Sequence, residues 1–243
     1  MAKLYALAFI FFVTIYSLNA QSVSDSTFVT TASNSAVDHY AEFIKGQSAL
    51  FTGTEYKEPR STNEQHPFYP VNDWQWGEIL YNGQIYEKAP FMYDIFNDVL
   101  ITENFHNNEE IALVKEKVAH FTMGKKKFIN IINTPAGLPS AGFYELHYNG
   151  PSQLLTRHEK KFEERIAQNR LEMSYKEKHR HFIRKGEQYH RVNSRRDLFK
   201  LMQDKRQQVR AFINQNNFLI SKENPSAMAR IAEYYDSLTA ETR

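Results

Sequence analysis

Three of the nine histidines in this chain have a spacing that could bring them together at a metal ion. His179, His181 and His190 flank the pair Lys185-Gly186, which is typical of a tight hairpin turn. A two-residue turn there would place His181 opposite His190, with His179 two residues along on the same face. Such a trio could bind zinc with one position left for water, as in a metal-dependent hydrolase. A turn at Gly186-Glu187 keeps the three on one face, whereas a three-residue loop would separate them.

The same histidines could instead belong to an exposed basic strand face. A fourth histidine, His158, precedes them, and their neighbours include Arg180, Arg184 and Arg191. Cationic neighbours oppose the binding of a divalent cation. The metal site is therefore a remote alternative, and we expect no cofactor.

The stretch from residue 157 to residue 191 contains 11 Lys and Arg against 6 Asp and Glu. If it forms strands, alternate side chains would make a positive stripe. The stripe is either a solvated surface or a site for an anionic glycan or lipid headgroup. The residues predicted to bind the anion are Arg157, Lys160, Arg180, Arg184 and Arg191.

A group of aromatic residues precedes the first predicted strands. Such side chains could anchor a protein partner or stack on a sugar, or they could pack against the edge of the sheet. The group consists of Phe68, Tyr69, Trp74 and Trp76.

Several classes of active site are excluded by residue types. The chain has no cysteine, so thiol nucleophiles, thiolate zinc sites and disulfides are ruled out. No two glycines stand at G-x-G spacing, which excludes dinucleotide-binding and P-loop signatures. The stretch Gly137–Gly142 reads G-x-x-S-x-G, one residue too long for a nucleophile elbow. We therefore predict no catalytic residues and a protein that is not an enzyme.

The first 20 residues predict export. Lys3 precedes an apolar run from Leu4 to Leu18, and Ala20 offers a small residue for cleavage. The run is shorter than the roughly 20 residues that span a bilayer. We expect a cleaved signal peptide, a protein that is either free in the periplasm or associated there with the outer membrane, and no membrane-spanning segment after cleavage. A nucleic-acid partner is not expected in that compartment.

Charge is unevenly distributed along the remaining chain. Residues 21–150 contain 9 Lys and Arg against 16 Asp and Glu, a net charge of −7. Residues 151–243 contain 20 against 12, a net charge of +8. The two halves either neutralise each other internally or present the basic half to an anionic partner.

The middle of the chain is rich in predicted strands. Asn82-Gly83 between two apolar runs indicates a type I′ hairpin, and similar turns are predicted at 149–150 and 185–186. The run 128–132 is apolar on both faces, so another layer must cover the sheet.

Helices are predicted at both ends. Residues 36–46 have the spacing of an amphipathic helix near the N-terminus. Three helices are predicted near the C-terminus: Ser194 and Asp197 resemble a capping box at the start of the first, Asp204 could cap the second, and Asn224-Pro225 could begin the third. The fold class is therefore α+β: a curved antiparallel β meander of about 8–10 strands, one N-terminal helix and about three C-terminal helices. The predicted organisation is a signal peptide (1–20), a flexible leader (21–33) and a single α+β domain (34–243), with strands over 75–192 and helices over 194–238.

The chain resembles a group of uncharacterised exported proteins that is common in Bacteroidota. The resemblance rests on Tyr81–Ile95, on Gly142–Gly150 and on the stretch from Ser194 to Leu238. It implies an envelope location and no known reaction. In that group the third hairpin carries Tyr and Lys where this chain has its three histidines, which argues further against the metal site.

These observations predict a non-enzymatic periplasmic accessory or scaffold protein of an envelope complex, associated with the outer membrane or with secretion. The alternative is a binding module for an anionic glycan or lipid headgroup, using the basic hairpins of residues 157–191. The remote alternative is a histidine-metal hydrolase.

Overall fold

The computed structural model describes residues 50, 53–59, 65–104, 109–167, 170–221 and 223–240, which belong to one compact unit, Ala49–Arg243. The predicted signal peptide, leader and N-terminal helix lie outside the described residues. The strands are β1 (Gly53–Glu55), β2 (Phe68–Tyr69), β3 (Gln75–Tyr81), β4 (Gln84–Asp94), β5 (Val99–Glu103), β6 (Glu110–Leu113), β7 (Val118–Met123), β8 (Lys126–Ile131), β9 (Gly142–Tyr148), β10 (Leu154–Ala167), β11 (Arg170–Lys185) and β12 (Gln188–Arg191).

The strands form one open antiparallel sheet. Its order is β1-β6-β5-β4-β3-β7-β8-β9-β10-β11-β12, and β2 pairs with β4 outside this path. Two meanders therefore run outward from β3, one toward β1 and one toward β12. With three helices after the last strand, α1 (Arg195–Leu201), α2 (Arg206–Gln215) and α3 (Pro225–Ala240), the structure confirms the α+β prediction.

Turn residues set the register of the short hairpins. Asn82 and Gly83 have φ angles of 50° and 79°, the positive values that a type I′ turn requires, and Tyr81 pairs with Gln84 across them. The turn between β11 and β12 is at Gly186-Glu187, because Lys185 pairs with Gln188.

Sequence-specific caps begin two of the helices. The Ser194 hydroxyl accepts a hydrogen bond from the backbone N–H of Asp197, and the Asn224 side chain accepts one from the backbone N–H of Ala227. Asp204 does not cap α2, contrary to prediction. Its carboxylate accepts hydrogen bonds from Lys185 (2.7 Å) and from the Tyr235 hydroxyl (2.9 Å), so it ties α3 to β11 instead.

Apolar layers cover both faces of the sheet. The helices pack on one face at the β9–β12 end, against Leu154, Ile183 and Val192. The opposite face is closed by Leu138 from the loop before β9. A third core, rich in stacked and edge-on aromatic rings, lies around Tyr93. The predicted second layer is therefore present, although the helices supply it at one end only.

We expect Asp236→Ala to loosen the docking of α3 on the sheet. The Asp236 carboxylate is buried and accepts hydrogen bonds from the Ser152 backbone N–H (2.8 Å) and from the Tyr148 hydroxyl (3.0 Å). Removing the acceptor leaves these donors unsatisfied, which should lower the free energy of unfolding by about 2 kcal/mol. Urea unfolding measures this, with Ser237→Ala on the exposed side of the same helix as the matched control. Equal effects of the two substitutions would contradict the expectation.

Candidate functional site

A polar cleft of about 600 Å³ lies between the face of β8–β11 and the segment that enters α3. We call it the histidine cleft. Its lining includes four of the histidines, three glutamates, two lysines and a threonine: Lys125, Lys126, Glu145, His147, Thr156, His158, Glu177, His179, His181 and Glu223.

Strand alternation and register bring these side chains together. Thr156 pairs with His181 and His158 with His179 across β10 and β11. Residues two apart on a strand share a face, so all four point the same way. Glu145 on β9 pairs with Thr156 and completes the row.

One carboxylate and two imidazoles form a hydrogen-bonded chain at the centre of the cleft. His158 lies between Glu145 and His179. The Nε2 atom of His158 is 2.6 Å from Glu145 Oε2, and the Nδ1 atom of His158 is 2.8 Å from His179 Nδ1. The other nitrogen of His179 is 3.4 Å from Glu177 Oε1. Glu145 and His158 are buried, whereas the side chains of His179 and Glu177 are each 36% exposed.

A second branch of the chain passes through a buried hydroxyl. Thr156 Oγ1 is 2.8 Å from His147 Nε2 and 2.7 Å from His181 Nδ1. His147 Nδ1 in turn lies 3.6 Å from Glu145 Oε1, which joins the two branches at this carboxylate.

Burial sets the charge state of the cleft. Burial lowers the pKa of His147 and that of His158 to about 4, so both rings are neutral at pH 7. Burial opposes the ionised form of Glu145, but the hydrogen bond from His158 and the nearby Lys126 outweigh it and lower the pKa of this carboxyl. The cleft thus combines an ionised carboxylate with neutral imidazoles, a combination that can accept, hold and pass protons.

The structure brings together two of the three histidines predicted to bind metal. His190 pairs with Ile183 rather than with His181, and it lines a different groove beside α1. The predicted pairing was wrong because the turn lies one residue later. Among the described residues, no group of three or more His, Asp or Glu side chains is arranged to hold a metal ion.

Three of the four aromatic residues predicted to contact a partner are packed into the fold. Phe68 and Tyr69 form β2 and are buried, and Trp74 is half-buried against the Phe68 cluster. Trp76 alone of the four is exposed, at 66%. The segment therefore packs largely against the sheet, which was the other interpretation of this pattern.

The five residues predicted to bind an anion do not form one surface. Strand alternation directs Lys160 to the opposite face from the other four. Two of the five pair with carboxylates: Arg157 with Asp98 and Arg180 with Glu159. Two donate to backbone carbonyls, Lys160 to those of His66 and Phe68 and Arg184 to those of Gly150 and Pro151. The fifth, Arg191, is exposed.

A concentrated basic surface lies instead on the C-terminal helices. An open groove of about 750 Å³ between α1 and α2 is lined by Arg195, Arg196, Phe199, Lys200, Gln203, Arg206, Arg210 and Asn214. We call it the basic groove. Its lining contains five cations and no carboxylate. Within the described part of the chain, no carboxylate lies within ion-pair distance of any of the five.

An aromatic ring organises the basic groove. The guanidinium groups of Arg195 and Arg206 lie 5.3 and 5.7 Å from the centre of the Phe199 ring. Arg195 also donates to the Asn214 side chain. The sequence indicates this basic surface, because residues 195–214 contain six Lys and Arg against two Asp. The basic stretch predicted above ended at Arg191 and did not include these residues.

No family model matches the chain, and no curated protein or solved structure matches it. The resemblance to exported proteins of Bacteroidota therefore stays a prediction. Within the part of the chain that the structure describes, no helix is long and apolar enough to cross a bilayer.

Proposed function

We propose that the protein is a binding module of the bacterial envelope, rather than an enzyme, and that it takes phosphate-bearing ligands into the basic groove. The observation that carries this proposal is a set of five cations on two adjacent helices, none of which has a carboxylate within ion-pair distance among the described residues. Of the five cations first predicted to bind an anion, Arg157 and Arg180 pair with carboxylates, and Lys160 and Arg184 donate to backbone carbonyls. The cations of the basic groove are not held in this way by carboxylates of the described residues, which leaves them for a ligand.

The chemistry of the groove favours phosphate. Arginine presents a planar fork that binds phosphate oxygens in pairs, and four of the five cations are arginines. The apolar run at residues 4–18 supports an envelope location, where anionic lipid headgroups carry phosphate.

An accessory role in an envelope complex remains compatible with this proposal. Of the large apolar side chains between residues 68 and 76, only Val71 and Trp76 are exposed, at 48% and 66%. We therefore favour the anionic ligand over the aromatic anchor.

Charge reversal in the groove should reduce binding by about tenfold to a hundredfold. The double substitution Lys200→Glu and Arg206→Glu replaces attraction by repulsion at two sites, each worth about 1 kcal/mol near an anionic surface. Vesicles of phosphatidylcholine with and without phosphatidylglycerol test the lipid headgroup, and pyrophosphate in calorimetry tests a soluble phosphate.

Lys117→Glu is the matched control, because Lys117 is equally exposed but lies far along the chain on the turn before β7. Binding of vesicles alone would assign the lipid source, and binding of pyrophosphate alone the soluble one. Affinity should fall steeply between about 50 and 300 mM salt. Binding that the double variant retains, or that salt does not weaken, would refute the proposal, as would the failure of both probes to bind.

A further inference from the structure

The paired imidazoles of the histidine cleft require a proton between them. The Nδ1 atoms of His158 and His179 are 2.8 Å apart, the distance of a hydrogen bond. Two bare nitrogen lone pairs at that distance would repel each other, so one of the two atoms must carry hydrogen.

The flanking carboxylates decide which ring carries that proton. Glu145 is an ionised acceptor 2.6 Å from His158 Nε2, so His158 holds its hydrogen on Nε2 and presents a lone pair at Nδ1. His179 must then donate from Nδ1. In the neutral ring the Nε2 atom of His179 carries a lone pair, which faces Glu177 Oε1 at 3.4 Å.

A further proton at His179 Nε2 would improve the contact to Glu177 and leave the other contacts of this row in place. It would convert the unfavourable approach to Glu177 into an ion pair and leave the bond to His158 in place. Burial lowers the pKa of His158 to about 4, which keeps that ring in the accepting state.

The row also connects the interior of the protein to the solvent. The side chains of Glu145 and His158 are 6% and 7% exposed, whereas those of His179 and Glu177 are each 36% exposed. A proton can therefore enter at the outer ring without crossing an apolar layer.

We propose that the histidine cleft is a proton-binding site in which Glu177, His179, His158 and Glu145 form a relay between solvent and the buried carboxylate. A proton from water arrives at His179 Nε2, the Nδ1 proton of His179 passes to His158 Nδ1, and the Nε2 proton of His158 passes to Glu145. Each ring gains a proton on one nitrogen and loses one from the other, so both end neutral and Glu145 ends as the neutral acid.

A lysine lies beside each of the two carboxylates of the relay. Lys126 on β8 lies 3.8 Å from Glu145, and Lys160 on β10 lies 3.9 Å from Glu177. The other groups facing the relay are Tyr69 from β2, Lys125 before β8, His147 from β9, Thr156 from β10, His181 from β11 and Glu223 before α3.

Long-range ¹H–¹⁵N NMR of the imidazole rings tests the relay on the intact protein. At pH 7.5 we expect His158 with hydrogen on Nε2 alone and His179 with hydrogen on Nδ1. On acidification the relay should move the hydrogen of His158 from Nε2 to Nδ1 and that of His179 from Nδ1 to Nε2. Two rings that both carry hydrogen on Nε2 alone at pH 7.5, or tautomers that acidification leaves unchanged, would overturn the proposal.

The variant Glu177→Gln tests the outer end of the relay and, being partly exposed, should fold. It removes the carboxylate that receives the new N–H at His179 Nε2, so acidification should leave the His158 and His179 tautomers largely as they are at pH 7.5. His190→Gln, outside the cleft, is the matched control and should leave the acid-induced exchange of tautomers unchanged. A full exchange of tautomers in Glu177→Gln, with the backbone amide spectrum preserved, would refute the relay.

Discussion

Asp98→Asn should lower the free energy of unfolding by about 3–5 kcal/mol, the expected cost of removing the nearest carboxylate from a buried cation. The Asp98 carboxylate accepts hydrogen bonds from Arg157 (2.9 Å), from the Tyr93 hydroxyl (2.7 Å) and from Lys115. The Arg157 side chain is only 7% exposed, so water cannot replace the lost charge.

Asparagine is the informative replacement at this position. Asp98 has a φ of 58°, a left-handed conformation that asparagine tolerates better than alanine does, so the substitution changes charge with little backbone strain. The amide also keeps one oxygen that can accept a hydrogen bond. The measured loss therefore reports the carboxylate charge rather than the turn.

Glu163→Gln is the matched control for this measurement. Glu163 lies 3.5 Å from Lys176, and the side chains are 55% and 71% exposed. Solvent screens such a pair, so we expect a change below about 0.5 kcal/mol in urea unfolding. A loss at Asp98 no larger than that at Glu163 would show that the buried pair does not stabilise the fold.

Acidification should destabilise the protein through the histidine cleft. The pKa values of His147 and His158 in the folded state are about 4, lowered by burial from 6.5. The unfolded chain therefore binds these protons more readily, so stability is greatest above pH 6.5 and falls as the pH drops toward 4. For two such groups the loss between pH 7.5 and pH 5 is about 4 kcal/mol.

The lowered pKa of Glu145 acts with the same sign at more acidic pH. Its contribution is present above the ordinary carboxyl pKa of 4.5 and is lost as the pH falls below that value. Stability should therefore keep decreasing below pH 4.5 rather than level off.

Urea unfolding at several pH values tests this dependence. His147→Gln combined with His158→Gln should flatten the slope between pH 7.5 and pH 5, even if the variant is less stable at neutral pH. His190→Gln removes a histidine outside the cleft and should leave the slope in place. A wild-type protein equally stable at pH 7.5 and pH 5 would contradict the explanation.

Features that depend on neighbouring residues were predicted from the sequence. The Asn82-Gly83 turn, the cap at Ser194 and the helix start at Asn224 all occur where expected, and with them the α+β class. Their physical causes, a tolerated positive φ and short-range capping hydrogen bonds, act within a few residues.

The length of β10 and β11 depended on contacts between distant residues. The sequence between Arg157 and Arg180 lacks the apolar alternation of a strand, so the pattern alone does not predict how long these two strands are. In the structure, opposite charges pair across the strands, as in Glu159 with Lys178 and Lys160 with Glu177. Other long-range contacts hold the cations that were predicted to bind an anion, such as Arg157 with Asp98 and Arg180 with Glu159.

The membership of the candidate sites was decided by tertiary structure alone. A one-residue difference in the turn moved His190 away from His181, while the pairing of β9 with β10 brought Glu145 and His147 to the other histidines. The basic groove exists because a 3-10 turn at Gln203–Lys205 separates α1 from α2, and the two helices then pack against each other. Residue types and local periodicity are properties of the sequence, but register, packing and the partner of each charge follow from where distant segments meet.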